Sequence, residues 1–340
     1  MNLLKIHGKD VGIDLGTSSI VVVLKDKGIV RNEPDIIAIE KKTNKILAVG
    51  SSAKEMMGKT PEKIEALMPL QHAGIADLYA TEMIMKSIIK ELQETENIGN
   101  PRVVINLHIG MNEVEKRAVF RAMMDSGARE VYFVEETLAA AIGANLDTTS
   151  AEASMIVDIG SGTTEVAVIA LGRIASCNYV KIAGDDLDKD IIEYIRKKMN
   201  VEIGKNAAER VKLELASVKP VVNQEIKVKG RDLVSGLPKT ITIDAFQVHE
   251  AIKNSLAQIV DCVREALDRT PPELLNDIQK KGLTITGGGA CIDKIEKLFE
   301  ENLRITTSIS ERPRECVALG IHKILNDDLK MKELKSKRRI

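Results

Sequence analysis

Two stretches of this chain repeat one pattern, and that repetition restricts the fold more than any other feature. Val11–Val23 reads VGIDLGTSSIVVV, and Met155–Val168 reads MIVDIGSGTTEVAV. Each runs from an apolar segment through an aspartate and a glycine turn rich in hydroxyls into a second apolar segment. The order predicts strand, tight turn, strand, and not the strand-to-helix arrangement of a P-loop or a dinucleotide-binding fold. Gly160, Ser161 and Gly162 can turn with backbone N–H groups aimed at an anion, and Thr163 and Thr164 add hydroxyls at the exit. Gly16, Thr17, Ser18 and Ser19 occupy the matching places in the first copy. Read singly, such a stretch is also an ordinary turn with its aspartate a turn residue. Read as a pair, with Asp14 and Asp158 in equivalent positions, the stretches suggest two duplicated halves. Two hairpins facing each other would bring two carboxylates and two sets of N–H donors to one cleft, which suits a metal-bound polyphosphate.

Three further groups carry possible chemistry. Leu283–Ala290, LTITGGGA, is a third strand closing on glycines. Gly287, Gly288, Gly289 and Ala290 would let the backbone approach a flat ligand, or would form a flexible turn before a helix over Ile292–Phe299. Glu135 and Glu136 follow a strand over Val131–Val134 and precede a helix over Leu138–Gly143, where acids favour the N-terminus. Glu209 and Lys212 lie three apart on one helical face, the spacing of a surface ion pair.

Composition narrows the partners. Lys+Arg 49 against Asp+Glu 50 gives a net charge of -1, so there is no global field for nucleic acid. With no Trp, 4 Tyr and 4 Phe, stacking platforms for single strands are scarce as well. The 4 cysteines show no C-x-x-C spacing and are expected reduced, and the 5 histidines lack the spacing of a zinc site. Met1–Asp10 is too poor in apolar residues for a signal peptide, and no apolar run approaches the ~18 residues of a membrane span. A cytoplasmic chain is therefore expected. Its end is basic: Lys330, Lys332, Lys335, Lys337, Arg338 and Arg339 oppose Glu333 alone. That segment reads either as a solvated, frayed terminus or as an electrostatic anchor, each base near an anionic membrane contributing about 1 kcal/mol.

Taken together, DLGTSS, EET before LAAAIG, DIGSGTTEVAV, AGDDLD and TGGGA resemble the motifs of the actin-fold ATPases, and specifically of the bacterial actin (MreB) family. Stretches without a phosphate role, among them GIVRNEPDIIAI, GKTPEKIEALMPL, NAAERVKLEL, VSGLPK and RTPPELLNDI, are similar to that family too, so the likeness covers nearly the whole chain. The resemblance implies an α/β actin-like fold of two duplicated domains with a nucleotide cleft between them. Domain I would be residues 1–150 plus 318–340, with a small subdomain at about 38–70. Domain II would be 151–317, with a small subdomain at about 185–247.

It implies ATP and Mg²⁺ as cofactors. Asp14 and Asp158 would hold the metal, the two hairpins and Gly287–Ala290 the nucleotide, and Glu136 with Thr163 would orient the attacking water. Gly184 and Asp185 match a hinge turn of the family, and Glu209 and Lys212 would lie beside the adenosine. It further implies slow ATP hydrolysis, homopolymeric filaments of paired strands at the inner face of the cell membrane, and shape-determining or cytoskeletal partners. Aligned subunits would multiply the weak grip of each basic tail. Three positions depart from the family pattern: Thr137 and His108 stand where it has Pro, and Ser161 where it has Gly. The alternatives on the same fold are a weakly active or inactive scaffold and a small-molecule kinase, although such kinases usually carry insertions that this compact chain lacks.

Overall fold

The computed structural model describes residues 8–71 and 74–336. Within it the chain forms two compact units, Met1–Thr148 with Arg314–Ile340, and Thr149–Pro313.

The first unit is built on a five-stranded sheet. β1 (Asp10–Leu15), β2 (Ser19–Leu24) and β3 (Gly28–Pro34) form an antiparallel meander. β4 (Arg102–Leu107) lies parallel to β1 on its other side, and β5 (Glu130–Glu135) parallel to β4, giving the order β5-β4-β1-β2-β3. The second unit repeats this plan. β6 (Ser154–Ile159), β7 (Thr164–Ala170) and β8 (Arg173–Val180) form the meander, and β9 (Leu283–Thr286) and β10 (Thr307–Ile309) add parallel neighbours in the order β8-β7-β6-β9-β10. The duplication legible in two short stretches is thus a duplication of sheet topology.

Strand periodicity decides which side chains meet. Val11, Ile13 and Leu15 enter one apolar cluster with α1 (Leu78–Glu96), leaving Gly12 and Asp14 on the opposite face. Met155, Val157 and Ile159 of β6 likewise enter the core of the second unit, leaving Ile156 and Asp158 on the other face. Asp77 caps the start of α1, its side chain accepting from the Ala80 N–H at 2.9 Å, and left-handed Asn97 ends it. Ile98 beside it is fully buried.

The face bearing Gly12 is covered by α7 (Cys316–Asn326), which packs on α3 (Glu136–Gly143). α2 is Glu113–Asp125, and α4 to α6 are Gly184–Met199, Lys205–Leu215 and Ala245–Asp268. The α3–α7 crossing is made by glycines on backbone. A Cβ on Gly143 would stand 1.8 Å from the Cys316 carbonyl oxygen, and one on Gly320 would stand 1.8 Å from that of Ala139. Ala139, Ala140 and Ala141 are fully buried in the same contact. Lys323 then crosses from α7 and donates to the carbonyls of Ile142 at 2.9 Å and Gly143 at 3.2 Å, placing a cation at the C-terminus of α3.

Each unit carries a smaller lobe: strands Ile37–Glu40, Lys45–Val49 and Ile64–Leu67 with helix Ser51–Met56 in the first, and Val201–Glu202, Glu225–Asp232 and Pro238–Asp244 with α4 and α5 in the second. At the root of the first lobe sits Asp35, fully buried. Its N–H donates to Ser18 O at 3.1 Å, its Oδ2 accepts from the Leu70 N–H at 3.3 Å, and among the described residues its Oδ1 has no hydrogen-bond partner. Burial pushes its carboxyl up to about 7, with the Leu70 bond opposing. A carboxyl whose pKa is higher in the folded than in the unfolded chain loses stability as pH rises from the unfolded value, near 4, through the folded one. The melting temperature of Asp35→Asn minus that of the parent should therefore increase by several degrees between pH 5 and pH 8, whatever constant cost the buried amide carries. A difference that is flat across that range would remove Asp35 from the pH dependence of stability.

The chain ends in α8 (Asp328–Ser336), on which Met331 and Leu334 are buried, Leu329, Lys332 and Lys335 are exposed and Lys330 is half-buried. Lys337, Arg338 and Arg339 lie outside the described residues. No helix among the described residues is long and apolar enough to cross a membrane.

Candidate functional site

The two hairpins share one backbone hydrogen bond in their turns. In the first, the Gly16 N–H donates to Ser19 O at 3.0 Å, and in the second the Gly160 N–H donates to Thr163 O at 2.9 Å. A Cβ on Gly16 would sit 3.1 Å from Ser19 O, and one on Gly160 3.1 Å from Thr163 O. Thr17 and Thr163 are buried, Thr164 is fully buried with its hydroxyl donating to Ile182 O at 2.8 Å, and Ser18 is exposed at the turn. In each unit the aspartate lies in the strand just before the turn, paired with Val21 for Asp14 and with Glu165 for Asp158.

In the second unit two further segments dock on the hairpin. The Gly184 N–H donates to Gly160 O at 3.2 Å and the Asp185 N–H to Ser161 O at 2.8 Å. Lys212 of α5 reaches this turn, donating to Gly184 O at 2.7 Å and pairing with Asp188 at 2.9 Å, while Lys205 pairs with Asp185 at 2.9 Å. Lys212 is thus tied to the 184–188 turn, and half-buried Glu209 on the same helix adds a like charge near Asp188. Burial raises the Asp188 carboxyl to about 6, with Lys212 opposing. α4 begins at Gly184, where the Asp186 carboxylate accepts from the Ala183 N–H at 3.1 Å and caps it.

The glycine run explains itself by close approach. Gly287 has φ +81, and its Cβ would stand 2.3 Å from Ile159 O and 2.4 Å from Asp158 Oδ1. A Cβ on Gly289 would stand 2.2 Å from Ile159 Cγ2, whereas one on Gly288 meets nothing within 4 Å. The run lies against the Asp158 strand end, with Gly288 facing open space and Ala290 buried. The turn continues as a short helical loop, so the next helix is Ile295–Leu303, later than the expected Ile292–Phe299.

In the first unit Glu136 opens α3, directly after β5. Its Oε2 accepts from Asn106 Nδ2 at 2.7 Å and lies 2.7 Å from His108 Nδ1. Asn106 in turn accepts from the Leu15 N–H at 2.7 Å, so one amide side chain links the end of β1, next to Asp14, to Glu136. Burial, then the charge of Glu136, push the Asp14 carboxyl up to about 8, while His108 lowers it. Burial is the larger cause, so the charged form of Asp14 is disfavoured where it stands and would be favoured by a cation beside it. The oxygen-rich donor set fits Mg²⁺.

The sequence alone does not reveal Asn106 or Asp188. Asn106 is a single polar residue inside the apolar run VVINL, and that interruption is the one signal that could have found it. Asp188 is one of several acids in GDDLDKD, with nothing to mark it as the buried one.

A family model described as MreB/Mbl protein matches residues 8–333. The chain is 41% identical over 320 residues to the cell shape-determining protein Mbl of Bacillus subtilis, covering 94% of this chain and 96% of that one. It is 40% identical over 322 residues to the cell shape-determining protein MreB of Escherichia coli K12, covering 93% of each. Among solved structures it is similar to MreB5 of Spiroplasma citri bound to ADP, with TM-score 0.91, 35% identity and 96% and 98% of the two chains covered. MreB5 bound to AMPPNP gives TM-score 0.90 and 34% identity, with 97% and 98% covered. The fold is the actin fold.

Proposed function

Since the chain belongs to the MreB/Mbl family, we propose that it is a cytoskeletal protein of that type, which binds Mg-ATP, hydrolyses it slowly and assembles with copies of itself into filaments at the cytoplasmic face of the membrane. One observation carries the nucleotide site: the Gly16–Ser19 and Gly160–Thr163 turns share one hydrogen-bond geometry, at 3.0 and 2.9 Å, and each follows an aspartate. Nucleotide binding by a relative is support of a second kind, since the Spiroplasma citri protein is bound to ADP in one crystal and AMPPNP in another.

In this reading the turn N–H groups and the hydroxyls of Thr17, Ser18, Ser19, Ser161 and Thr163 hold phosphate oxygens, with Gly162 giving the second turn its shape. The Thr164 hydroxyl, expected there from the sequence, is instead spent on Ile182 O, and Thr164 anchors the exit of the turn. Asp14 and Asp158 hold Mg²⁺, through waters, since that ion sheds its shell reluctantly. When bound, the ion neutralises phosphate charge. Gly184, Asp185, Glu209, Lys212 and the Gly287–Ala290 run, through the open side of Gly288, form the nucleoside side. Glu136, aided by Thr163, orients the attacking water.

The exposed Lys332 and Lys335 on α8, where Met331 and Leu334 are packed and Leu329 stays exposed, support an electrostatic contact of the tail with anionic lipid, too weak for one subunit and additive along a filament. Purified protein should release phosphate from ATP without an acceptor and should pellet at tens of micromolar with Mg-ATP. Phosphate release that requires a small-molecule acceptor would favour a kinase, and pelleting without any release would favour a scaffold.

A further inference from the structure

We propose that His108 is a positioning residue for ATP hydrolysis, which works with Asn106 to hold Glu136 in the one orientation that can align a water. The inference rests on the reading of Glu136 given above and goes beyond it by assigning the residues that aim its carboxylate.

The geometry is convergent. Glu136 sits at the first position of α3, where the preceding Glu135 gives no side-chain cap, so the helix start does not fix its side chain. Asn106 Nδ2 and His108 Nδ1 both approach the same oxygen, Oε2, at 2.7 Å. Both contacts fall on Oε2, and in the proposed reading it is the other oxygen, Oε1, that takes the water. Both partners come from the C-terminal end of β4, Asn106 within the strand and His108 just beyond it, on the segment that continues to the capping residue of α2, Asn112. Asn106 is itself fixed by the Leu15 N–H, and His108 is only 5% exposed, so neither can swing away with solvent. A carboxylate gripped through one oxygen keeps a defined direction for the other, which is what orienting a nucleophile demands.

The sequence places this arrangement in a specific context. His108 stands where the family pattern has proline, which has no side-chain donor, and so does Thr137, the residue after Glu136, which is fully buried with its hydroxyl unpartnered among the described residues. Both neighbours of Glu136 that depart from the pattern are therefore polar replacements of a group that could not have bonded to it.

The test is a set of variants measured for steady-state ATP hydrolysis and for nucleotide affinity. His108→Leu should lower kcat by about tenfold or more with KM little changed. His108→Asn, whose amide nitrogen can take the place of Nδ1, should recover most of that loss. In a Glu136→Ala background, His108→Leu should have no further effect, because the group it positions is gone. If His108→Leu and His108→Asn lose the same activity, or if the losses of His108→Leu and Glu136→Ala multiply, His108 is structural and the proposal fails. If Glu136→Ala itself hydrolyses ATP like the parent, the reading of Glu136 fails first, which is a distinguishable result. Melting temperatures of all variants separate a folding defect from a catalytic one.

Discussion

Glu136→Ala should lose about a hundredfold or more of its ATP hydrolysis while binding Mg-ATP at least as tightly as the parent. Both halves of that expectation come from where the side chain sits. Glu136 belongs to neither hairpin; it is held by Asn106 and His108 at the start of α3, so removing it takes no donor from the phosphates. Its charge is the second cause, after burial, of the raised Asp14 carboxyl, so its loss makes Asp14 easier to ionise and the cation site no weaker. Single-turnover phosphate release, measured beside equilibrium binding of a fluorescent ATP analogue, checks the two halves separately. Undiminished release would reduce Glu136 to an acid that favours a helix N-terminus.

Asp14→Asn and Asp158→Asn should produce the complementary result, with Mg-ATP affinity falling at least about tenfold in each and the loss disappearing when Mg²⁺ is chelated. Asparagine is the appropriate replacement at 158, since that side chain lies against Gly287, where a Cβ would meet Asp158 Oδ1 at 2.4 Å. The thermal stability of nucleotide-free Asp14→Asn should hold or rise at pH 8. The Asp14 carboxyl is pushed up from 3.8 to about 8, so its ionised form opposes folding increasingly as pH climbs between those values, and the amide abolishes that effect. An affinity unchanged in both variants, titrated calorimetrically with and without the metal, would dispose of the two-aspartate site.

How much of this could be read in advance depends on the range of the interactions involved. The hairpins are local: apolar alternation, an aspartate and a glycine turn specify β1–β2 and β6–β7 within fourteen residues or so. Their equivalence extends to the whole sheet because each meander needs a parallel strand to cover its open edge, and β4 and β9 supply it. What stayed hidden is what parallel pairing creates. Asn106 meets Leu15 and Glu136 only because β4 is inserted between β1 and β5, with Asn106 opposite Val134 and Leu107 opposite Glu135. No pattern within VVINLH announces that register. The same holds for Lys212, legible as a helix-surface ion pair with Glu209 but instead tied to Gly184 and Asp188. The 287–289 run falls between these cases. Its glycines were visible, but two of them are demanded by Ile159 and Asp158 and only Gly288 is free to face a ligand.

The crossing of α3 and α7 links the chemistry to a distant part of the chain. Glu136 is the first residue of a helix of only eight residues, and that helix is seated on α7 through two glycines and gripped at its far end by Lys323. The carboxylate is aimed by Asn106 and His108, but the helix that carries it is seated by a segment nearly two hundred residues further along. With only glycine backbone and small alanines at this crossing, a small rotation of α7 would be expected to carry α3 with it. A displacement of the C-terminal helices would therefore be expected to reach the start of α3, where Glu136 sits, over a path of one helix pair.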